Sequence, residues 1–161
     1  MRLATIMAAG LLLLAACTPP AGAGSAGPSS AGIDVTVSHT SAGDALAGVG
    51  GMTLYIFKAD TGGTSTCNAG CVETWAPFLG DGSQVRAGDG VSGSFATTTR
   101  DDGSKQITHG GQPLYYYSGD KAAGDSNGEG IAGKWFIAPV DESTASQAAT
   151  ASATPYNPPG Y

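Results

Sequence analysis

The sequence is poor in positive charge. Seven Lys and Arg stand against thirteen Asp and Glu, a formal net charge of −6 at pH 7. Residues 1–16 hold one charged group, Arg2, so the chain without them carries 6 − 13 = −7. A chain this acidic has little with which to neutralise phosphates. That excludes nucleic acid as a partner and disfavours docking on anionic headgroups. Histidine is scarce too, with two residues, His39 and His109. There is no nucleophile elbow, no ordered Ser/His/Asp set, no phosphate loop and no zinc spacing. Hydrolase chemistry therefore lacks its residues, and no enzyme activity is expected. No Cys-x2-Cys-His occurs, which excludes a c-type haem, and no cofactor is expected. No long stretch of helical periodicity is present, and the apolar run Leu3–Ala16 is too short to span a membrane as a mature helix.

That short run is informative for what it is. One positive charge at Arg2 followed by an apolar stretch has signal-peptide form. It ends in Leu14-Ala15-Ala16-Cys17, which resembles the lipobox of bacterial lipoprotein signal peptides. The resemblance implies cleavage before Cys17 and a diacylglycerol on its thiol, so the partner expected there is the membrane itself. The expected location is extracytoplasmic, anchored to the bacterial cell membrane or outer membrane. Two or three acyl chains anchor a protein stably, whereas one is marginal. Residues 17–31 hold small residues and proline with nothing to bury, and read as a flexible lipid-anchored linker. Residues 142–161, rich in Ser, Ala, Thr and Pro, read as a disordered tail.

Between them, residues 32–141 are enough for one small domain with one core, expected to be a monomer. Its dominant feature is a stretch that occurs twice. Residues 50–75 and 110–135 align at an offset of 60 without a gap. Gly50/Gly110, Gly51/Gly111, Leu54/Leu114, Tyr55/Tyr115, Asp60/Asp120, Gly70/Gly130 and Trp75/Trp135 are identical. Two tryptophans in register, in a chain with only two, point to internal duplication. The units run from about 33 to 80 and from about 95 to 141, each a β unit of ~45–60 residues.

Short β-rich runs bounded by Gly, Asp and Asn fill both units. Ile33–His39 alternates apolar and polar residues. Ala45-Leu46-Ala47 leads through Gly48–Gly51 into Met52–Lys58 as a hairpin. Phe95–Arg100 turns at Asp101-Asp102-Gly103 into Ser104–His109. Gly110-Gly111 turns into Gln112–Tyr117, and Trp135–Val140 closes the second unit. The expected fold is all-β: about eight antiparallel strands from two tandem units, with pseudo-twofold symmetry.

In each repeated strand the alternation puts Tyr55 and Phe57, or Tyr115 and Tyr117, on one face. Leu54 and Ile56, or Leu114 and Tyr116, take the other. Such strands are covered on both sides, and the four motif rings are expected to be at least half buried. Asp60 and Asp120 stand where strand becomes Gly-rich loop and are expected to accept backbone N–H bonds there. Tyr-x-Phe-x-x-Asp and Tyr-x-Tyr-x-x-Asp resemble the Tyr-x-(Phe/Trp/Tyr)-x-x-Asp motif of the bacterial "secreted repeat" lipoproteins. Cys67-x3-Cys71 followed by Trp75-Ala76-Pro77-Phe78 is similar to that family's Cys-x3-Cys and Trp-Pro-Pro-Leu-like segment, with Ala76 in place of a proline. Gly124-Asp125…Gly128…Gly130…Trp135 resembles its second-half signature. The resemblance implies no activity.

Other chemistry has weak candidates. Cys67 and Cys71 are an even pair in an oxidising compartment and read as a disulfide first. A copper site that adds His109, or a redox dithiol, stands as the alternative. Cys67 and Cys71 align with Asn127 and Ile131, so the second unit manages without the pair. The two histidines read as surface or turn residues. Asp120, Asp125, Asn127 and Glu129 do not fit calcium-loop spacing. The functional reading is an envelope-anchored, non-catalytic binding or structural module, its envelope protein or small ligand unidentified.

Overall fold

A computed structural model describes residues 32–141. The expected signal peptide at 1–16, Cys17 with the expected linker to 31, and the expected tail at 142–161 lie outside the described residues. Nine strands follow in chain order. They are β1 (Ile33–Thr40), β2 (Gly43–Ala47), β3 (Tyr55–Phe57), β4 (Trp75–Pro77), β5 (Val85–Ala87), β6 (Phe95–Thr99), β7 (Lys105–His109), β8 (Gln112–Tyr117) and β9 (Trp135–Ile137). One helical turn, Cys71–Thr74, precedes β4. Among the described residues no helix is long and apolar enough to cross a membrane.

The hairpins fall where the turn residues put them. β6 and β7 pair from Phe95↔His109 to Thr99↔Lys105 around Asp101-Asp102-Gly103. β7 and β8 close on Gly110-Gly111, with His109 opposite Gln112. The 45–58 hairpin forms as well, with Ala47 bridged to Thr53 and the Leu54 N–H donating to the Leu46 carbonyl at 2.8 Å. Its ladder is interrupted, so the regular strand shrinks to Tyr55–Phe57.

Three features differ from the sequence expectation. β4 is not among the expected strands, and its Pro77 cannot donate to a ladder, but it forms an outer strand against β8, with Trp75↔Tyr117 and Pro77↔Tyr115. β5 lies in a Gly- and Asp-rich stretch and pairs with the start of β1. That pairing is parallel, in an otherwise antiparallel fold. β1 also turns directly into β2, with Thr40 opposite Gly43, extending the hairpin order one strand earlier than expected.

The two units are interleaved rather than side by side. β1–β4 and β6–β9 are equivalent meanders, yet the last strand of each leaves its own unit. β4 pairs with β8 of the second unit, and β9 pairs with β3 of the first. Equivalent bonds repeat at the 60-residue offset. Phe78 N–H donates to the Leu114 carbonyl and Ala138 N–H to the Leu54 carbonyl, both at 2.8 Å. Lys58 N–H reaches the Lys134 carbonyl and Ser118 N–H the Thr74 carbonyl, both at 2.9 Å.

The alternation along β3 and β8 separates two cores. Leu54, Ile56 and Leu114 enter one, with Val35, Leu46, Phe78, Ile107 and Ala138. Tyr55, Tyr115, Trp75, Trp135 and Cys67 form the other, flanked by Phe57 and Tyr117.

Candidate functional site

The pseudo-twofold axis passes between β3 and β8, where Tyr55 stands directly opposite Tyr115. Both tyrosines are fully buried, and a buried phenol needs a partner for its hydroxyl. Each finds it in the other unit. Tyr55 Oη donates to Asp120 Oδ2 at 2.7 Å, and Tyr115 Oη donates to Asp60 Oδ2 at 2.5 Å. The repeated Tyr-x4-Asp spacing is therefore a reciprocal cross-link between the two repeats. Burial, then the bond to the carboxylate, pushes both phenols well above the ordinary tyrosine range.

The carboxylates do what their loop position predicts with their second oxygen. Asp60 Oδ1 accepts from the N–H and the hydroxyl of Thr66, both at 2.7 Å. Asp120 Oδ1 accepts from the Asn127 N–H at 3.0 Å. Each Asp thus holds its own Gly-rich loop closed while anchoring a tyrosine from across the axis. The approach is close at Gly128, whose N–H donates to Tyr55 Oη at 3.2 Å. A Cβ there would lie 2.8 Å from the Tyr55 ring and 2.9 Å from Trp75.

The tryptophans meet on the same axis. Their rings are parallel within 1°, with centroids 3.7 Å apart. Phe57 stacks on the outside of Trp135 at 4.3 Å, and Tyr117 lies on the outside of Trp75 at 4.5 Å, tilted by 31°. Tyr55 and Trp75 meet edge to face, as do Tyr115 and Trp135. All eight motif residues, Tyr55, Phe57, Asp60, Trp75, Tyr115, Tyr117, Asp120 and Trp135, are thus brought together. Phe57 and Tyr117 are partly buried at the ends, and the other six are buried.

Symmetry breaks around the disulfide. Cys67 and Cys71 are bonded, with Cα atoms 5.3 Å apart, and pack in the aromatic core. Arg100 is buried beside them. Its guanidinium donates to the Cys67 carbonyl at 2.6 Å, to Gln106 Oε1 at 2.5 Å and to Ser65 Oγ at 2.7 Å. The Ser65 hydroxyl in turn donates to Tyr115 Oη at 2.8 Å, whose own proton goes to Asp60, joining Arg100 to the Asp60 lock. Thr40 holds the matching position in the first unit, where its hydroxyl donates to the Gly43 carbonyl at 2.7 Å. Nothing in the sequence separates a buried Arg in a hairpin turn from an exposed one.

The three residues named for the metal alternative have other partners here. The cysteine sulfurs are bonded to each other, and His109 is not a surface residue but buried, its Nε2 2.8 Å from the Ser92 carbonyl oxygen and its ring on Phe95. His39 is exposed, 2.6 Å from Asp44. Among the described residues no three His, Cys, Asp or Glu converge as a metal site.

One surface feature was not apparent in the sequence. Val49, Met52, Phe78, Leu79 and Tyr116 line an open apolar cup of about 340 Å³. Val49 is 73% exposed and Leu79 48%, and the two lie together on this one cup rather than scattered singly. The Val49 N–H donates to Tyr116 Oη at 2.9 Å, which occupies the cup's hydroxyl.

A family model described as "secreted repeat of unknown function" matches the chain twice, over residues 36–79 and 96–138. The two matches begin 60 residues apart and fall on the two interleaved units. No curated protein and no solved structure matches the chain.

Proposed function

The chain belongs to the secreted-repeat family, an extracytoplasmic one, and from that premise we propose that it is a non-catalytic module held at the cell envelope by lipid on Cys17. The observation that carries the reading is how the motif spends its groups. Both phenols and both carboxylates are hydrogen-bonded to one another across the twofold axis, and both indoles stack there. A catalytic carboxylate or phenol needs access to a substrate and a proton affinity near the working pH. These are buried, and the phenols are pushed away from neutrality. The motif therefore builds a rigid body, and binding falls to the surface.

The anchor is supported by Leu14-Ala15-Ala16-Cys17 and by the linker composition of residues 17–31. The disulfide fits an oxidising compartment. Copper handling would require that bond to be reduced and His109 to leave Ser92, so it is not the reading adopted. Cys17→Ser tests the anchor. The variant is expected to leave the membrane fraction or to accumulate as unprocessed precursor. A variant that fractionates and migrates like the parent would refute the lipid anchor.

A further inference from the structure

The cup lies where the two repeats differ. At the 60-residue offset, Met52, Phe78, Leu79 and Tyr116 correspond to Gln112, Ala138, Pro139 and Ile56. Ala138 is small and fully buried, and the second unit turns on Gly110-Gly111 where the first has the longer 48–52 loop. No equivalent cup can form there, so the twofold fold does not require one.

The exposed lip is also held rigidly. Gly48 N–H donates to the Met52 carbonyl at 3.0 Å, and Gly51 N–H to the Gly48 carbonyl at 3.1 Å. The floor closes because residue 48 has no side chain. A Cβ there would fall 2.2 Å from Tyr116 Oη, displacing the hydroxyl that fixes Val49. An apolar side chain pinned outward by its backbone is presented rather than left over.

Its place relative to the linker says what covers it. Gly32 and Ile33, where the described chain begins, share a shallow cleft with Gly48 and Val49. Ile33 also reaches to Gly80, next to Leu79. The described chain therefore begins beside the cup. Fifteen residues of this composition, 17–31, reach about 20 Å on average. A tether that short makes a weak contact effectively intramolecular.

We propose that this cup rests on the bilayer to which Cys17 is anchored, so that the Val49–Met52–Leu79 lip orients the domain on the membrane. The proposal rests on the lipid-anchor reading. Neutral headgroups are the expected surface. Asp34 in the adjoining cleft is paired with Arg86 at 2.8 Å, while the exposed Asp81 next to the lip would oppose an anionic one.

The test uses the lipidated mature protein in phosphatidylcholine nanodiscs and the Cys17→Ser chain free in solution. A soluble gadolinium chelate broadens methyl signals that water reaches. In the free chain Val49 and Leu79 should broaden strongly. In nanodiscs they should lose most of that broadening, while Val72 and Ile131, on the aromatic core, broaden alike in both. A Val49→Asp, Leu79→Asp variant should stay attached through its lipid, and its Met52 methyl should lose protection. Equal broadening of Val49 and Leu79 in both samples, with lipid on Cys17 verified by mass, would overturn the docking and leave the anchor standing. An unmodified Cys17 would overturn both. Protection already present in the free chain and lost on dilution would make a second copy the occupant and overturn the bilayer assignment.

Discussion

Tyr55 donates to a carboxylate 65 residues away rather than to the Asp five residues on in its own motif. A hydrogen bond to a charged group is worth about 1.5–3 kcal/mol, and a buried carboxylate that loses a donor bears the cost of its own desolvation. Both lock phenols are held protonated, which gives a pH dependence with a definite sign. In the unfolded chain a tyrosine loses its proton near its ordinary value of 10.0, while Tyr55 and Tyr115 keep theirs in the fold. Their contribution is fully present below about pH 10 and is lost as pH rises through the folded values, because above 10 the unfolded state binds fewer protons. Each group then steepens the loss by about 1.4 kcal/mol per pH unit. Urea denaturation at pH 8 and at pH 11 should show this decline. The Tyr55→Phe, Tyr115→Phe double variant should start less stable and decline less steeply. An unchanged slope would mean that neither phenol is the buried, protonated donor described.

At the scale of elements, the disulfide stiffens one loop without holding up the fold. The second unit turns the same corner without it, with Ile131 N–H donating to the Gly128 carbonyl as Cys71 N–H does to the Asn68 carbonyl. Closing a five-residue ring is worth about 2 kcal/mol on the chain-entropy estimate. Reduction should therefore lower the melting temperature modestly and leave one cooperative transition. Loss of the folded state on reduction would make the pair a keystone instead. Much of this level was legible in the sequence. Alternation along 54–57 and 114–117 sorted the side chains onto the correct faces, and Asp-Gly and Gly-Gly marked two of the hairpins. Three-residue strands were not legible. Trp75-Ala76-Pro77 carries a breaker and becomes a strand only because Tyr115–Tyr117 lies opposite. Val85–Ala87 pairs with residues some fifty positions earlier, a partner that no local pattern signals.

For the whole molecule, exchange of the last strands means that neither unit holds a complete sheet or a complete aromatic core. Trp75 needs Trp135, and each tyrosine needs the opposite loop. The duplication was legible as a 60-residue register, but a register does not say whether Tyr-x4-Asp closes within a repeat or between repeats. Only the three-dimensional twofold decides that, and the Arg100 network and the apolar cup likewise lie where the repeat breaks down. The account predicts one cooperative unfolding transition for the two units together.

The reciprocal lock is tested most directly by double-mutant cycles on stability, using Tyr55→Phe with Asp120→Asn, and Tyr55→Phe with Asp60→Asn. Contacting residues in one network couple by 0.5–3 kcal/mol or so, whereas independent sites add within about 0.5 kcal/mol. The expected result is a coupling of roughly 1.5–3 kcal/mol for Tyr55 with Asp120 and near-additivity for Tyr55 with Asp60. Strong coupling within the repeat and none across it would contradict the interleaved fold.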